Sequence, residues 1–167
     1  MRVRTHSCES AFTLIETTVA AALAAMFLTS LFTMNMATMD TIRAAKESVA
    51  ASQILQQRME SMRIANWHQV TDANWLRDNL LNTGVVESTS LKDLTESLTL
   101  VAYNGTTAGS TQLVRSGSTV TIASQNAALL QENAVKVIWT VSYTGSPNTQ
   151  SLSRQIVAIL AKGGVAK

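Results

Sequence analysis

The sequence predicts an α+β fold, a long N-terminal helix packed against a small antiparallel β-sheet, and three observations carry that expectation. No glycine or proline occurs before Gly84, so no local signal stops a helix over the first half of the chain. Within that half, Thr17 to Met39 contains no Asp, Glu, Lys or Arg. Beyond it, helical periodicity gives way to short β-type runs separated by turn residues.

The apolar run exceeds the roughly 20 residues that a bilayer-spanning helix needs. Past the Thr17-Thr18 pair at its start, only Thr29, Ser30, Thr33, Asn35 and Thr38 relieve it, so it lacks the polar face of a globular core helix. A charged fraction of 14% fits a chain whose apolar residues are concentrated in one such segment. Arg2 and Arg4 precede the run, and the positive-inside rule then keeps the N-terminus in the cytoplasm and sends the residues after Met39 across the membrane. The helix is expected to continue from Thr13 to Arg63, roughly 75 Å at about 1.5 Å per residue, which is far more than a bilayer thickness. Its second half must pack on something. An apolar stripe at Ile42, Ala45, Val49, Leu55, Met59 and Met62 is expected to do so, with Arg43–Glu47 and Glu60–Arg63 paired on the wet side.

The partner is expected in the C-terminal region. Asp72 suits the cap of a short helix through Leu81, containing Trp75, Leu76 and Leu80. Strands are expected at Leu98–Tyr103, Gln112–Arg115, Thr119–Ala123, Val135–Tyr143 and Leu152–Leu160. Asn104-Gly105, Ser116-Gly117 and Gly145-Ser146-Pro147 supply turns. The clearest strand sets Val135, Val137, Trp139, Val141 and Tyr143 on one face, with Lys136, Ile138, Thr140 and Ser142 on the other. The stretch from Asn104 to Ser118, rich in Ser, Thr, Gly and Asn, reads as loop and hairpin.

Several function classes fall away. A net charge of +2 and no Lys/Arg cluster argue against nucleic acid. The single cysteine, Cys8, precedes the apolar run, so neither an intrachain disulfide nor a cysteine metal cluster is available. His68 beside Trp67 has no partner histidine beyond the N-terminal stretch. The acids Asp72, Asp78, Glu87, Asp93, Glu96 and Glu132 are scattered without metal-ligand spacing. Trp67, Trp75 and Trp139 are expected in the core, since the chain has little other aromatic area. No catalytic activity, cofactor or metal is expected.

One motif remains. Ala11-Phe12-Thr13-Leu14-Ile15-Glu16 stands where the apolar helix begins, with a single acid just inside it, and ionisable residues in membrane segments are functional by default. Phe12-Thr13-Leu14-Ile15-Glu16, behind a short basic leader and ahead of an uninterrupted apolar helix, resembles the processing site of type IV prepilins and type II secretion pseudopilins. The resemblance implies a pilin-like α+β fold and a cut by prepilin peptidase between Ala11 and Phe12. It further implies methylation of the new Phe12 amine and assembly into a filament, with Glu16 as an assembly contact. The implied organisation is a leader over 1–11, a transmembrane helix over 12–39, its extracytoplasmic continuation over 40–63 and a globular head over 64–167. Implied partners are the peptidase/methyltransferase, other pilin or pseudopilin subunits and an inner-membrane assembly platform. The implied location is the inner membrane, single-pass with the head extracytoplasmic, and then the filament.

The family usually carries glycine before the cut, and Ala11 is the smallest substitute. A kinking proline in the anchor, a C-terminal disulfide and an acidic calcium loop, each common among major subunits, are absent; Ser151 to Lys167 contains no acid. Those absences point to a minor pilin or minor pseudopilin. Two other readings are a secreted binding protein whose apolar run is an ordinary export signal, and a single-pass membrane receptor. Export cleavage would fall after the apolar run, where Asn35-Met36-Ala37 puts a large Asn at a site that wants a small residue.

Overall fold

Helix α1 runs without a break from Leu14 to Ile64 in the computed structural model, which describes residues 14–84, 90–104, 107–145 and 150–163. Good helix formers fill it, Glu16 stands in its first turn and Arg63 in its last, and both charges complement the helix dipole. The chain divides into two units, one ending at Thr41 and one beginning at Ile42.

In the second unit, α1 packs through Ala50, Ala51, Ile54, Leu55, Arg58, Met59 and Met62, all buried. The expected stripe is therefore corrected in its first half. Leu55, Met59 and Met62 are core, whereas Ala45 is exposed and Ile42 and Val49 remain 45% and 56% exposed. Six residues separate Val49 from Leu55, which turns the helix about 120° away from a common face at 3.6 residues per turn. Glu60 and Arg63 pair as expected, at 3.1 Å on the exposed surface.

After α1 come two short helices, α2 (Trp67–Thr71) and α3 (Ala73–Trp75). The first was not expected, though Gln69 Oε1 accepts from the Asn66 backbone N–H at 2.9 Å, one half of a capping box. Asp72 does cap, accepting from Asn74 N–H at 2.9 Å. The chain then widens into a π-helical turn over Leu76–Leu81, closed by Asn82 N–H donating to the Arg77 carbonyl five residues back at 2.8 Å. That widening buries Leu76, Leu80 and Leu81 together.

Five antiparallel strands follow: β1 Lys92–Ala102, β2 Ser110–Ser116, β3 Thr119–Ser124, β4 Ala134–Gly145 and β5 Gln150–Ala161. Their order in the sheet is β3-β2-β1-β4-β5. All five expected strands are present, most of them longer than expected. β1 begins six residues early, with a register shift between Lys92 and Thr95 and Asp93 at φ 52°. Within Asn104–Ser118, Ser110–Ser116 is strand, and Gly117 at φ 58° makes the turn into β3. A 3₁₀ turn at Ala127–Gln131 precedes β4, with Asn126 Oδ1 accepting from Ala128 N–H at 3.1 Å. The expected turns at Gly105 and at Ser146-Pro147 lie outside the described residues.

One face of the sheet covers α1. On β4, Val135, Val137, Trp139, Val141 and Tyr143 are buried, and the alternate residues are half-buried, as the alternation requires. Leu98, Leu100 and Ala102 of β1 and Leu113 of β2 join them. Trp67 and Trp75 pack at the margin of this core.

Candidate functional site

Two features stand apart from ordinary packing. The first is the opening half of α1. From Leu14 to Met39 its large apolar side chains stand between 43% and 80% exposed, and this is a helix long and apolar enough to cross a membrane by length and composition. A monomer in water rarely leaves more than a few hundred Å² of contiguous apolar surface uncovered, which makes this segment a candidate membrane anchor or signal sequence. Every threonine from Thr17 to Thr41 donates its hydroxyl to a carbonyl one turn back, at 2.8–2.9 Å. Each hydroxyl is thus satisfied within the helix, where apolar surroundings would otherwise penalise it.

Glu16 lies in the first turn of this segment and is exposed. A carboxylate there is favoured by the N-terminal end of the helix dipole. Ala11 and Phe12, along with Arg2, Arg4 and Cys8, lie outside the described residues.

The second feature is a buried charge cluster that the sequence reading did not anticipate. Glu96 on β1 is fully buried, facing inward in the same alternation as Leu98 and Leu100. Arg58, 3% exposed on the buried face of α1, donates Nε–H to Glu96 Oε2 at 3.0 Å and an Nη2–H to Oε1 at 3.2 Å. Its remaining N–H groups reach the Leu80 carbonyl, Thr83 Oγ1 at 3.1 Å and the Thr83 carbonyl at 3.0 Å. All five guanidinium donors are thereby used. Arg115 of β2 adds a third bond to Glu96, at 3.0 Å. This cluster ties the long helix, the chain after the π-helical turn and two strands together. A signal existed for it: Arg58 stands on the helix face shared by Ile54, Leu55 and Met62, and Glu96 occupies an inward strand position. Two opposite charges set in apolar patterns imply that they meet.

Comparison with protein-family models, curated proteins and solved structures returned no match.

The other residues weighed from sequence are dispersed. His68 is exposed on α2, and Trp139 is buried in the core with its indole N–H unpartnered among the described residues. Asp78 pairs with its neighbour Arg77 at 2.7 Å; the guanidinium hydrogen bond holds the Asp78 carboxyl below its ordinary pKa and raises that of Arg77. Among the described residues, no three His, Cys, Asp or Glu side chains are gathered as a metal site.

Proposed function

We propose that the chain is a structural, non-catalytic subunit of a type IV pilus or type II secretion pseudopilus, of the minor kind. It is cut before Phe12 by prepilin peptidase, methylated on the new amine, and assembled with other subunits from an inner-membrane platform. The observation that carries this reading is the Phe12–Glu16 run set directly against a helix whose first half is bare and whose second half is packed on a sheet. Continuity favours it over an export signal, because a cut after Ala37 would sever α1 inside a regular helix.

In this reading, an incoming subunit brings its Phe12 amine to Glu16 of a subunit already in the filament. Apolar surroundings strengthen that attraction relative to water. A carboxylate left unpaired among packed helices is strongly penalised, so the pairing sets the axial register as well as adding energy. Mass spectrometry of membrane-extracted protein, with the peptidase present, is expected to find a methylated Phe12 terminus; a start after Ala37 overturns the proposal. Glu16→Ala and Glu16→Gln are expected to keep that terminus and lose crosslinking to the major subunit. Normal crosslinking by both variants removes Glu16 as the assembly contact, and loss of cleavage assigns it to peptidase recognition.

A further inference from the structure

The sheet has two edges, and they are built differently. β3 is six residues long, and its register with β2 shifts between Gln112 and Leu113. Both traits blunt an edge against pairing. β5 is twelve residues long and pairs with β4 through twelve consecutive positions with no register shift. It contains no proline, and its only charge, Arg154, turns away to donate to Ser48 Oγ of α1 at 2.6 Å. Among the described residues, the outer edge from Gln155 to Ala161 therefore carries none of the usual protection.

The same stretch borders a groove of about 1060 Å³ between β5 and the end of α1. Met59, Met62, Trp67 and Val70 form its helical wall, and Ala158 and Leu160 its strand wall. Ala158 and Leu160 lie opposite Val137 and Val135, which are fully buried, yet they themselves are only half-buried. The core is incompletely covered at this margin. A strand laid along β5 would meet its backbone groups and drop alternate side chains into the groove, the arrangement by which strand addition gains affinity and selectivity. Three charged residues line the groove, Glu60, Arg63 and Lys162; Arg63 is paired with Glu60 at 3.1 Å, and among the described residues Lys162 forms no ion pair, so its ammonium at one end can attract an anion.

We propose that the edge of β5 and this groove receive an extended segment of a partner protein. The segment is about six residues long, matching Ile156 to Ala161, with apolar side chains at alternate positions and a carboxylate near Lys162. This inference does not depend on the filament reading.

The test uses the full chain in lipid nanodiscs, so that no free detergent competes. The probe is an eight-residue peptide alternating valine and threonine with a free C-terminal carboxylate. Saturable binding with Kd below about 1 mM is expected, together with slowed amide exchange in Gln150–Ala161. A peptide N-methylated on alternate amides is expected to bind at least about 10-fold more weakly, because it cannot complete the ladder. Ala158→Trp, which fills the groove, is expected to weaken binding by a similar factor. Lys162→Glu, at an exposed site that does not threaten folding, is expected to weaken it severalfold. The proposal is overturned by no binding at about 1 mM, by equal binding of the N-methylated peptide, which would make the site a simple apolar groove, or by indifference to Lys162→Glu. It is equally overturned if β5 exchange slows with protein concentration alone, because a second copy then owns the edge.

Discussion

Leu14–Met39 and Ala50–Met62 belong to one helix, yet they stand in opposite surroundings. The first stretch leaves its apolar side chains bare; the second hides Ala51 and Ile54 completely. Charge is distributed in the reverse sense. In the bare stretch the only acid, Glu16, sits in the first turn and is exposed. In the packed stretch Arg58 is buried and meets a buried acid. Helical continuity and burial are thus independent properties. The sheet determines where α1 contributes to the stability of the head.

The two glutamates give the sharpest test of that division. Glu96→Ala leaves Arg58 and Arg115 without their shared counter-ion and is expected to cost about 3–5 kcal/mol of head stability in urea titration. Glu16→Ala is expected to leave the same titration unchanged. Comparable losses from both variants would break the comparison.

Packing provides a smaller version of the same contrast. Ile54→Val removes one methylene from a fully buried site and is expected to cost about 0.5–1.5 kcal/mol. Ile42→Val, at a 45% exposed site on the same helix, is expected to stay within about 0.5 kcal/mol of wild type. A loss at Ile42 as large as that at Ile54 would mean that the head covers more of α1 than its buried face.

Trp139 refines the account inside the core. Its indole N–H is buried without a partner among the described residues, so Trp139→Phe gives up apolar area while removing an unsatisfied donor. Removing that donor offsets part of the cavity cost, so the loss by urea titration is expected to stay below the roughly 3–5 kcal/mol of truncating a large buried aromatic; a loss in that range would mean that the indole N–H carried no penalty.

The smallest effect belongs to the exposed Arg77–Asp78 pair. Because the folded-state pKa of Asp78 is lowered, its contribution is present above the unfolded value near about 3.9 and is lost as pH falls through the folded value. The gap in urea midpoint between wild type and Asp78→Asn is expected to be small at pH 7 and to close on acidification, as the folded carboxylate is protonated. A gap that widens on acidification would reverse the sign argued here.

Much of this architecture was legible where pattern and burial coincide. The absence of Gly and Pro before Gly84 is enough to read α1, and the alternation Val135 to Tyr143 is enough to read β4 and its inward face. Legibility fails where a polar residue takes an apolar place. Glu96 interrupts the alternation that would have extended β1 back towards Lys92, and only the three-dimensional approach of Arg58 and Arg115 makes that position affordable. The stripe through Ile42 and Val49 failed for a different reason: spacings of three and four accumulate, and the break before Leu55 rotates the helix to another face. The π-helical turn, which buries Leu76, Leu80 and Leu81, has no simple sequence signature. Of the candidate site, Glu16 was legible as a lone acid in an apolar run, while the cluster around Glu96 required the fold.

The threonine bonds of α1 carry a consequence for transfer between phases. A hydroxyl already bonded to its own helix gives up no partner when its surroundings are exchanged, so the six threonines from Thr17 to Thr41 add little selectivity for one apolar medium over another. The segment is chemically portable. If the segment passes from lipid into a sheath of neighbouring helices, as the proposed function requires, these bonds are kept throughout and add nothing to the polar barrier.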